Sequence, residues 1–436
     1  MTRMHLSGRR ARRGLCAALL VAGAAAGAVA ASSGTVASAA ATATAAASSN
    51  PYGATLKNGT YGENYNPSAA VVNYALAGHT TLPTDKAQLN VALAALYRAN
   101  NWNTMSAAMQ AKALSCWKNN GCSTGTGGKL TIGEADGFGG NPARQLFKME
   151  FILQALTYPQ IGKILYTDAN LSTTKAISDV RSMVAQGAKV IVSYPDAGAA
   201  LLPAYQAAQK QGDQVTLWSN ATVGSAPVDY LTTSGTNLCV LGQQYAAILN
   251  KDLPSGGQIA LLGGTPGNPQ SPAWQKCEVA ALNKNIKVVA TANTGWTEQG
   301  ALQATSGIIS KYPKLNGVSY DYGLATVGVI RAMQAAHKSL NGFIVTDYSN
   351  DEPLLCEYKT LNNPAFKVYT FVGLFFQGRV SLTAGLMKMR GASIPPAIIF
   401  NPTVSPITTS TCRASIPASG SPTALIPASL QAKMFG

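Results

Sequence analysis

Short apolar runs alternate with stretches of helical spacing throughout Lys129–Pro195. Leu130-Thr131-Ile132, Ile164-Leu165-Tyr166 and Val190-Ile191-Val192 predict strands. Between them Leu146, Met149, Ile152 and Leu153, then Ile177, Val180, Met183 and Val184, recur at the spacing of a single helical face. This alternation predicts parallel strands joined by crossover helices. Ligands of such sheets gather beyond the carboxyl ends of the strands, which directs attention to the polar loops Asp136–Asn141 and Asp168–Thr173.

The alternation continues. Leu201–Gln211 predicts a helix ended by Gly212, Val215–Trp218 a strand, and Gln243–Leu249 a helix. Gln258–Gly264 opens a second series: helix Ala273–Leu282, strand Lys287–Ala290, helix Gln299–Lys311, strand Gly317–Tyr320, helix Leu324–Ala335 and strand Gly342–Thr346. Two consecutive series of this size predict two similar lobes. Ahead of them Pro83–Asn100 predicts a helix with Leu89, Leu93, Leu96 and Tyr97 on one face, and Thr104–Trp117 a second. The stretch Gly121–Gly128 separates these helices from the main body, and Ala/Ser/Thr-rich residues 31–57 read as a flexible tether. Thr403–Gly436, rich in Pro, Ser, Thr and Ala, is expected to run over the surface as a tail.

Charge refines this picture at the N-terminus. The 436-residue chain carries a formal net charge of +15, but five arginines fall in its first thirteen residues, leaving 15 − 5 = +10 for the rest. No Lys/Arg run with interleaved aromatics follows, so nucleic-acid binding is not indicated. The basic start, the apolar run Leu15–Ala30 and the A-x-A sites Ala28-Val29-Ala30 and Ala37-Ser38-Ala39 read as a secretory signal peptide over residues 1–39, and hence as an exported, periplasmic or cell-surface protein. The Arg9-Arg10 pair lacks the following residues of a twin-arginine signal, and Cys16 opens the apolar run instead of following it, which argues against a lipid anchor. No later segment is long and apolar enough to span a membrane. Six cysteines remain, an even number that in an exported chain predicts disulfides. The expected pairs are Cys116–Cys122, Cys239–Cys277 and Cys356–Cys412, with buried free thiols as the other reading. No CxxC pair or Cys/His cluster suggests a metal site.

The motifs then fall into a familiar order: IGEADGFGGNP, the run from ILYTDANLSTT to GDQVTLW, GGTPGNPQSPAWQKCEVAAL, TGWTEQGALQATSGIISKYP, GVSYDYGLATVGVIRAMQAA and FIVTDYSNDE. Together they resemble the type I periplasmic-binding-protein family, the solute receptors of ABC importers, in its ribose/galactose-like branch. The resemblance spans roughly Lys129 to Pro402. It implies an α/β fold of two Rossmann-like lobes joined by a three-strand hinge, here with an N-terminal helical extension. Residues 128–220 and 374–397 would form the first lobe, and 221–373 and 398–412 the second. Residues 40–57 would be the tether, 58–127 the extension and 413–436 the tail. It further implies a small polar solute, with a sugar or polyol favoured and an acidic or aromatic solute as the alternative. The partners would be a membrane permease or a membrane sensor, and the receptor would act as a monomer without a cofactor.

The resemblance also nominates site residues. Asn141 stands in the family's Asn-Pro loop, flanked by Asp136, Phe138 and Arg144; the same Asn suits a helix cap. Arg144 stands where sugar receptors carry an aromatic, and serves either to clamp a solute anion or hydroxyl pair or to form a salt bridge. Trp296 matches an aromatic that stacks on the ligand, with a core position as the other reading. Asp321, its neighbour Tyr322, and Asp347 match hydroxyl-binding positions, with helix capping as the competing role for the acids. Asn220, after Ser219 at the first hinge crossing, replaces a frequent Arg, as does Trp274; Val372 replaces a polar hinge residue.

An enzyme is the competing class. GCSTG, at Gly121–Gly125, formally matches G-x-S-x-G but lacks the strand before and helix after that a nucleophile elbow needs. Past the signal peptide only His79 and His337 remain, neither at a strand end, so a Ser-His-Asp arrangement is hard to build. There is no H-E-x-x-H and no G-x-G-x-x-G or P-loop lysine. A glycosidase using Asp321 and Asp347 is the formal remainder.

Overall fold

Leu130–Asp136, Ile161–Asp168 and Ala188–Ser193 are adjacent parallel strands, with helices Pro142–Ala155 and Thr173–Ala185 crossing between them. The computed structural model describes residues 66–436 except 78, 219–222, 350 and 372. The segments read as signal peptide and tether, the start of the expected helical extension, Ser219, Asn220 and Val372 lie outside the described residues.

Two sheets carry the fold. The first runs in the order Thr80–Thr81, Ala397–Pro402, Thr232–Thr236, Gln214–Trp218, Ala188–Ser193, Leu130–Asp136, Ile161–Asp168, Gly121–Ser123. The second runs Ser405–Pro406, Lys367–Phe371, Ile344–Tyr348, Leu315–Ser319, Gly257–Gly263, Ile286–Asn293. Every interior pairing is parallel, and only the two-to-three-residue edge strands pair antiparallel. This is the mixed α/β, two-lobe architecture expected. Strands Thr232–Thr236 and Ala397–Pro402 are hydrogen-bonded into the first sheet, so the chain changes sheets after Thr236 and after Pro402, later than residues 221 and 398. Gly121–Ser123, expected as part of a loose connection, is an edge strand stapled to the preceding helix by Cys116–Cys122. The cysteine pairs Cys239–Cys277 and Cys356–Cys412 also lie at disulfide distance.

The N-terminal helices belong to the first sheet's core. Asp85 caps helix Lys86–Arg98 by accepting from the Ala87 and Gln88 amides. Its buried face is Val91, Ala92, Ala95 and Leu96, whereas Leu89, Leu93 and Tyr97 are only half-buried. The small alanines let the helix approach Gln377–Met389, a helix buried on nearly all sides that lies over the first sheet. Because it is enclosed, helix Gln377–Met389 has no polar face by which a sequence pattern would reveal it.

The C-terminal segment is not a surface tail. After Cys412 the chain passes back to the first sheet, where Ala424, Leu425, Ile426 and Leu430 are completely buried and Ala428–Phe435 is a helix. The return is held by Glu150, which accepts from the Leu425 amide at 2.5 Å, and by Arg379, which donates to the Leu425 carbonyl at 2.9 Å. Glu150 and Arg379 are themselves a buried ion pair. Leu425, Ile426 and Leu430 break the Pro/Ser/Thr/Ala composition here, and their burial outweighs it. Leu430→Ala is therefore expected to lower stability by about 2–5 kcal/mol, read from urea unfolding; an unchanged midpoint would return the segment to the surface.

The second sheet buries an acid. Glu278, on helix Gln270–Ala281, accepts from Ser319 Oγ at 2.5 Å, and Ser319 in turn accepts from Thr346 at 2.7 Å. Burial pushes the Glu278 carboxyl up to about 8. Between the ordinary carboxyl range and that value the folded state holds a proton that the unfolded chain has lost. Stability then falls as pH rises through the window. Glu278→Gln is expected to melt higher than the parent near pH ~9 and alike near pH ~4; a pH-independent difference between the two proteins would refute this.

Candidate functional site

The carboxyl ends of both sheets converge on one cavity. From the first sheet's side come Asn141, Ala143, Arg144 and Phe147 on the helix after Leu130–Asp136, with Tyr194 and Trp218 at strand ends. Gln270, Trp296, Asp321, Tyr322, Tyr348 and Ser349 follow strands of the second sheet. Gly373, Phe375 and Gln377 line the wall where the chain returns to the first. The two sides are bonded to each other: Tyr194 Oη donates to Gln270 Oε1 at 3.1 Å, and Asn268 Nδ2 donates to Asp196 Oδ1 at 2.9 Å.

Asn141 both caps and lines. Its Oδ1 accepts the Arg144 amide at 2.9 Å, with Pro142 preset for the first helical turn. That cap starts helix Pro142–Ala155 directly under the cavity and fixes where Arg144 and Phe147 emerge. Phe147 stacks on Trp218 with centroids 4.1 Å apart, and Trp218 meets Tyr194 at 4.6 Å. The first side is thus an aromatic wall closed by Phe375.

Arg144 is only 5% exposed and already has partners. Nη1 donates to Asp136 at 2.6 Å and Nη2 to Asp196 at 3.0 Å. The guanidinium also lies 3.6 Å from the Tyr194 ring centroid and 5.0 Å from that of Trp218. Burial pushes Asp136 up to about 6 against the pull of Arg144, and raises Asp196 in the same way. Two carboxyl groups and two ring faces leave the arginine little capacity to clamp an anionic solute.

Asp321 occupies the opposite wall. Its Oδ2 accepts from Ser271 Oγ at 2.6 Å and Trp274 Nε1 at 3.0 Å; its Oδ1 accepts from Trp296 Nε1 at 2.8 Å. Burial raises its pKa and these donors lower it. The carboxyl thereby orients both indoles. Trp296 takes a φ of 51°, in the left-handed region that costs a bulky residue about 1–3 kcal/mol. Its ring lies against the Cα of Gly264, where any Cβ would collide with the indole. A strained backbone, a glycine seat and an indole hydrogen bond together fix this aromatic in the cavity.

Of the residues nominated by sequence, Asn141, Arg144, Trp296, Asp321 and Tyr322 are thus brought together. Asp136 lies behind Arg144. Trp274 is completely buried and reaches the site only through Asp321. Asp347 is also completely buried, with Oδ2 accepting from Thr326 Oγ1 at 2.7 Å, and burial raises its pKa strongly. Phe138 lines no part of the cavity; its amide donates to Asp136 at 3.0 Å. Phe147, Tyr194, Trp218, Gln270, Tyr348, Ser349, Phe375 and Gln377 were not nominated, although Tyr194, Trp218 and Tyr348 stand at or beside predicted strand ends. The GCSTG serine lies in the edge strand Gly121–Ser123, away from this site.

Known proteins give this geometry a context. Residues 138–355, half of the chain, match the periplasmic binding protein domain. No curated protein sequence matches the chain. Among solved structures it resembles the Caulobacter myo-inositol binding protein bound to myo-inositol (19% identity, TM-score 0.58, 64% of this chain and 94% of that one). A second is an ABC transporter periplasmic solute binding protein from Actinobacillus succinogenes with bound D-allose (19%, 0.54, 65% and 99%). A third is the fructose binding periplasmic domain of a hybrid two component system (17%, 0.57, 64% and 91%). At these identities the likeness carries the fold, that of sugar- and polyol-binding periplasmic proteins. The family and these neighbours are non-enzymatic solute-binding proteins. With half its length matched and its fold shared, the chain belongs to the periplasmic binding protein domain family.

Proposed function

We propose that the chain is an extracytoplasmic receptor of an ABC importer. It binds one small polar solute, a sugar or polyol, in the cavity between its two sheets and delivers it to a membrane permease. The observation that carries this reading is the cavity itself: aromatic walls from both sheets enclose a few polar groups, Asn141, Gln270, Asp321 and Gln377 among them. Such walls suit the C–H faces of a ring, while the polar groups meet its hydroxyls. A solute touching both sides stabilises the closed form through its differential affinity, and closure presents a changed surface to the permease. The basic, apolar and A-x-A segments of residues 1–39 supply the export that this role requires. An acidic solute fits less well because Arg144 is engaged by Asp136 and Asp196. Delivery to a membrane sensor is the second reading, favoured by the likeness to a two-component system's periplasmic domain.

A thermal-shift and calorimetric panel of D-allose, myo-inositol, D-fructose and D-ribose tests the reading. Binding at a hundredfold excess over Kd adds about 2.7 kcal/mol of stability, so at least one compound should raise the melting temperature; no shift with any sugar or polyol, their amino derivatives included, would overturn the receptor role. Trp296→Ala is expected to weaken binding at least about tenfold, roughly 1.4 kcal/mol, with an unchanged far-ultraviolet circular dichroism spectrum. Retained affinity would make Trp296 a core residue.

A further inference from the structure

The two sides of the cavity differ in how their charges are met. On the first side Arg144 faces Asp136 and Asp196, one positive group against two negative. On the second side stand Asp321 in the wall, with Asp347 and Asp351 close behind it, all buried. Among the described residues none of these three forms an ion pair with a lysine or arginine. Asp321 is met by a hydroxyl and two indole N–H groups. Asp351 is met by the Leu324 amide at 3.0 Å and Ser349 Oγ at 3.1 Å. Asp347 has Thr326 on one oxygen, and its Oδ1 has no hydrogen-bond partner. Burial raises the pKa of all three and favours the neutral form of Asp347 most strongly. Asp321, with three neutral donors on its two oxygens and no cation beside it, is the carboxylate whose charge the second side does not cancel.

A second observation points to a ligand. Tyr322, adjacent to Asp321, lines the cavity at 5% exposure, and its hydroxyl approaches the Ala143 amide without completing a hydrogen bond. A buried hydroxyl left in this state calls for a partner from within the cavity. The surrounding rings add their negative faces to the same field. A cavity of this kind repels an anion, tolerates a neutral ring and rewards a positive charge placed near Asp321.

We propose that the preferred solute is a hydroxylated ring bearing a protonated amine, an amino sugar or aminocyclitol, with its ammonium at the Asp321–Tyr322 corner. The ring then stacks between the aromatic walls, the amine supplies the charge that the second side lacks, and Tyr322 Oη accepts one of its N–H bonds. This rests on the receptor reading above and narrows its solute.

The test is isothermal titration of the full chain with matched compounds: D-glucosamine, D-galactosamine, D-mannosamine and an aminocyclitol, each beside its neutral parent. N-acetyl-D-glucosamine and D-glucuronate serve as uncharged and anionic controls. In at least one pair the amine should bind about tenfold or more tighter than its parent, with the N-acetyl compound falling to the parent's level and the uronate weakest. Rising ionic strength should weaken the amine and leave the parent unchanged. Asp321→Asn should abolish the preference; Tyr322→Phe, which removes one oxygen and keeps the ring, should reduce it should Asp321→Asn fold poorly. Neutral parents binding as tightly as their amines, or a uronate binding tightest, would overturn the inference and leave the receptor reading standing. If no sugar, polyol or amine binds, the receptor reading itself falls.

Discussion

The buried pair of Arg379 and Glu150 is the constraint on which the site depends. Glu150 lies on helix Pro142–Ala155, whose first turns carry Asn141, Arg144 and Phe147; Arg379 lies on helix Gln377–Met389, whose start carries Gln377 into the cavity. The ion pair binds the two helices side by side, and Arg379 Nη1 extends the link to Gln154 at 3.1 Å. Their remaining hydrogen-bonding capacity is taken by the backbone of Leu425. Removing either partner would strand a buried charge, at a cost of about 3–5 kcal/mol. Both the spacing of the cavity's first wall and the seat of the C-terminal segment trace to this one contact.

The same economy appears within the cavity. The acids in and behind its walls are committed within the protein: Asp136 and Asp196 to Arg144, Asp321 to Ser271, Trp274 and Trp296. Each commitment fixes a side chain that lines the cavity. Arg144 is held against the rings of Tyr194 and Trp218, and Trp296 is held over Gly264. The groups lining the cavity are therefore already oriented, and a ligand bound there would meet little ordering cost.

Much of the fold was legible because parallel strands buried on both faces read as apolar runs, as Val190–Val192 and Gln258–Gly264 do. Thr232–Thr236 escaped because a buried strand of Thr, Ser and Gly has no such run. Helix Gln377–Met389 escaped because enclosure removes the contrast between its faces. At the site, the rule that ligands lie beyond strand ends led to the loop that holds Asn141, and the family resemblance led to Trp296, Asp321 and Tyr322. It could not reveal that Trp274 turns inward, or that Asp196, fifty-two residues from Arg144, is one of its partners. Such contacts arise from tertiary packing of segments far apart in the chain, and spacing carries no trace of them.

The buried C-terminal segment also bears on the order in which the molecule can form. The first sheet's core draws on Val71 and Val91 near one end of the described chain and on Leu425 and Leu430 near the other. A chain emerging from its N-terminus cannot complete that core until Leu425 and Leu430 appear. The second sheet draws all its strands from between Gly257 and Pro406, a shorter stretch of chain. Contacts of such long sequence separation form slowly. The half of the molecule that begins first in the sequence is therefore the half that finishes last.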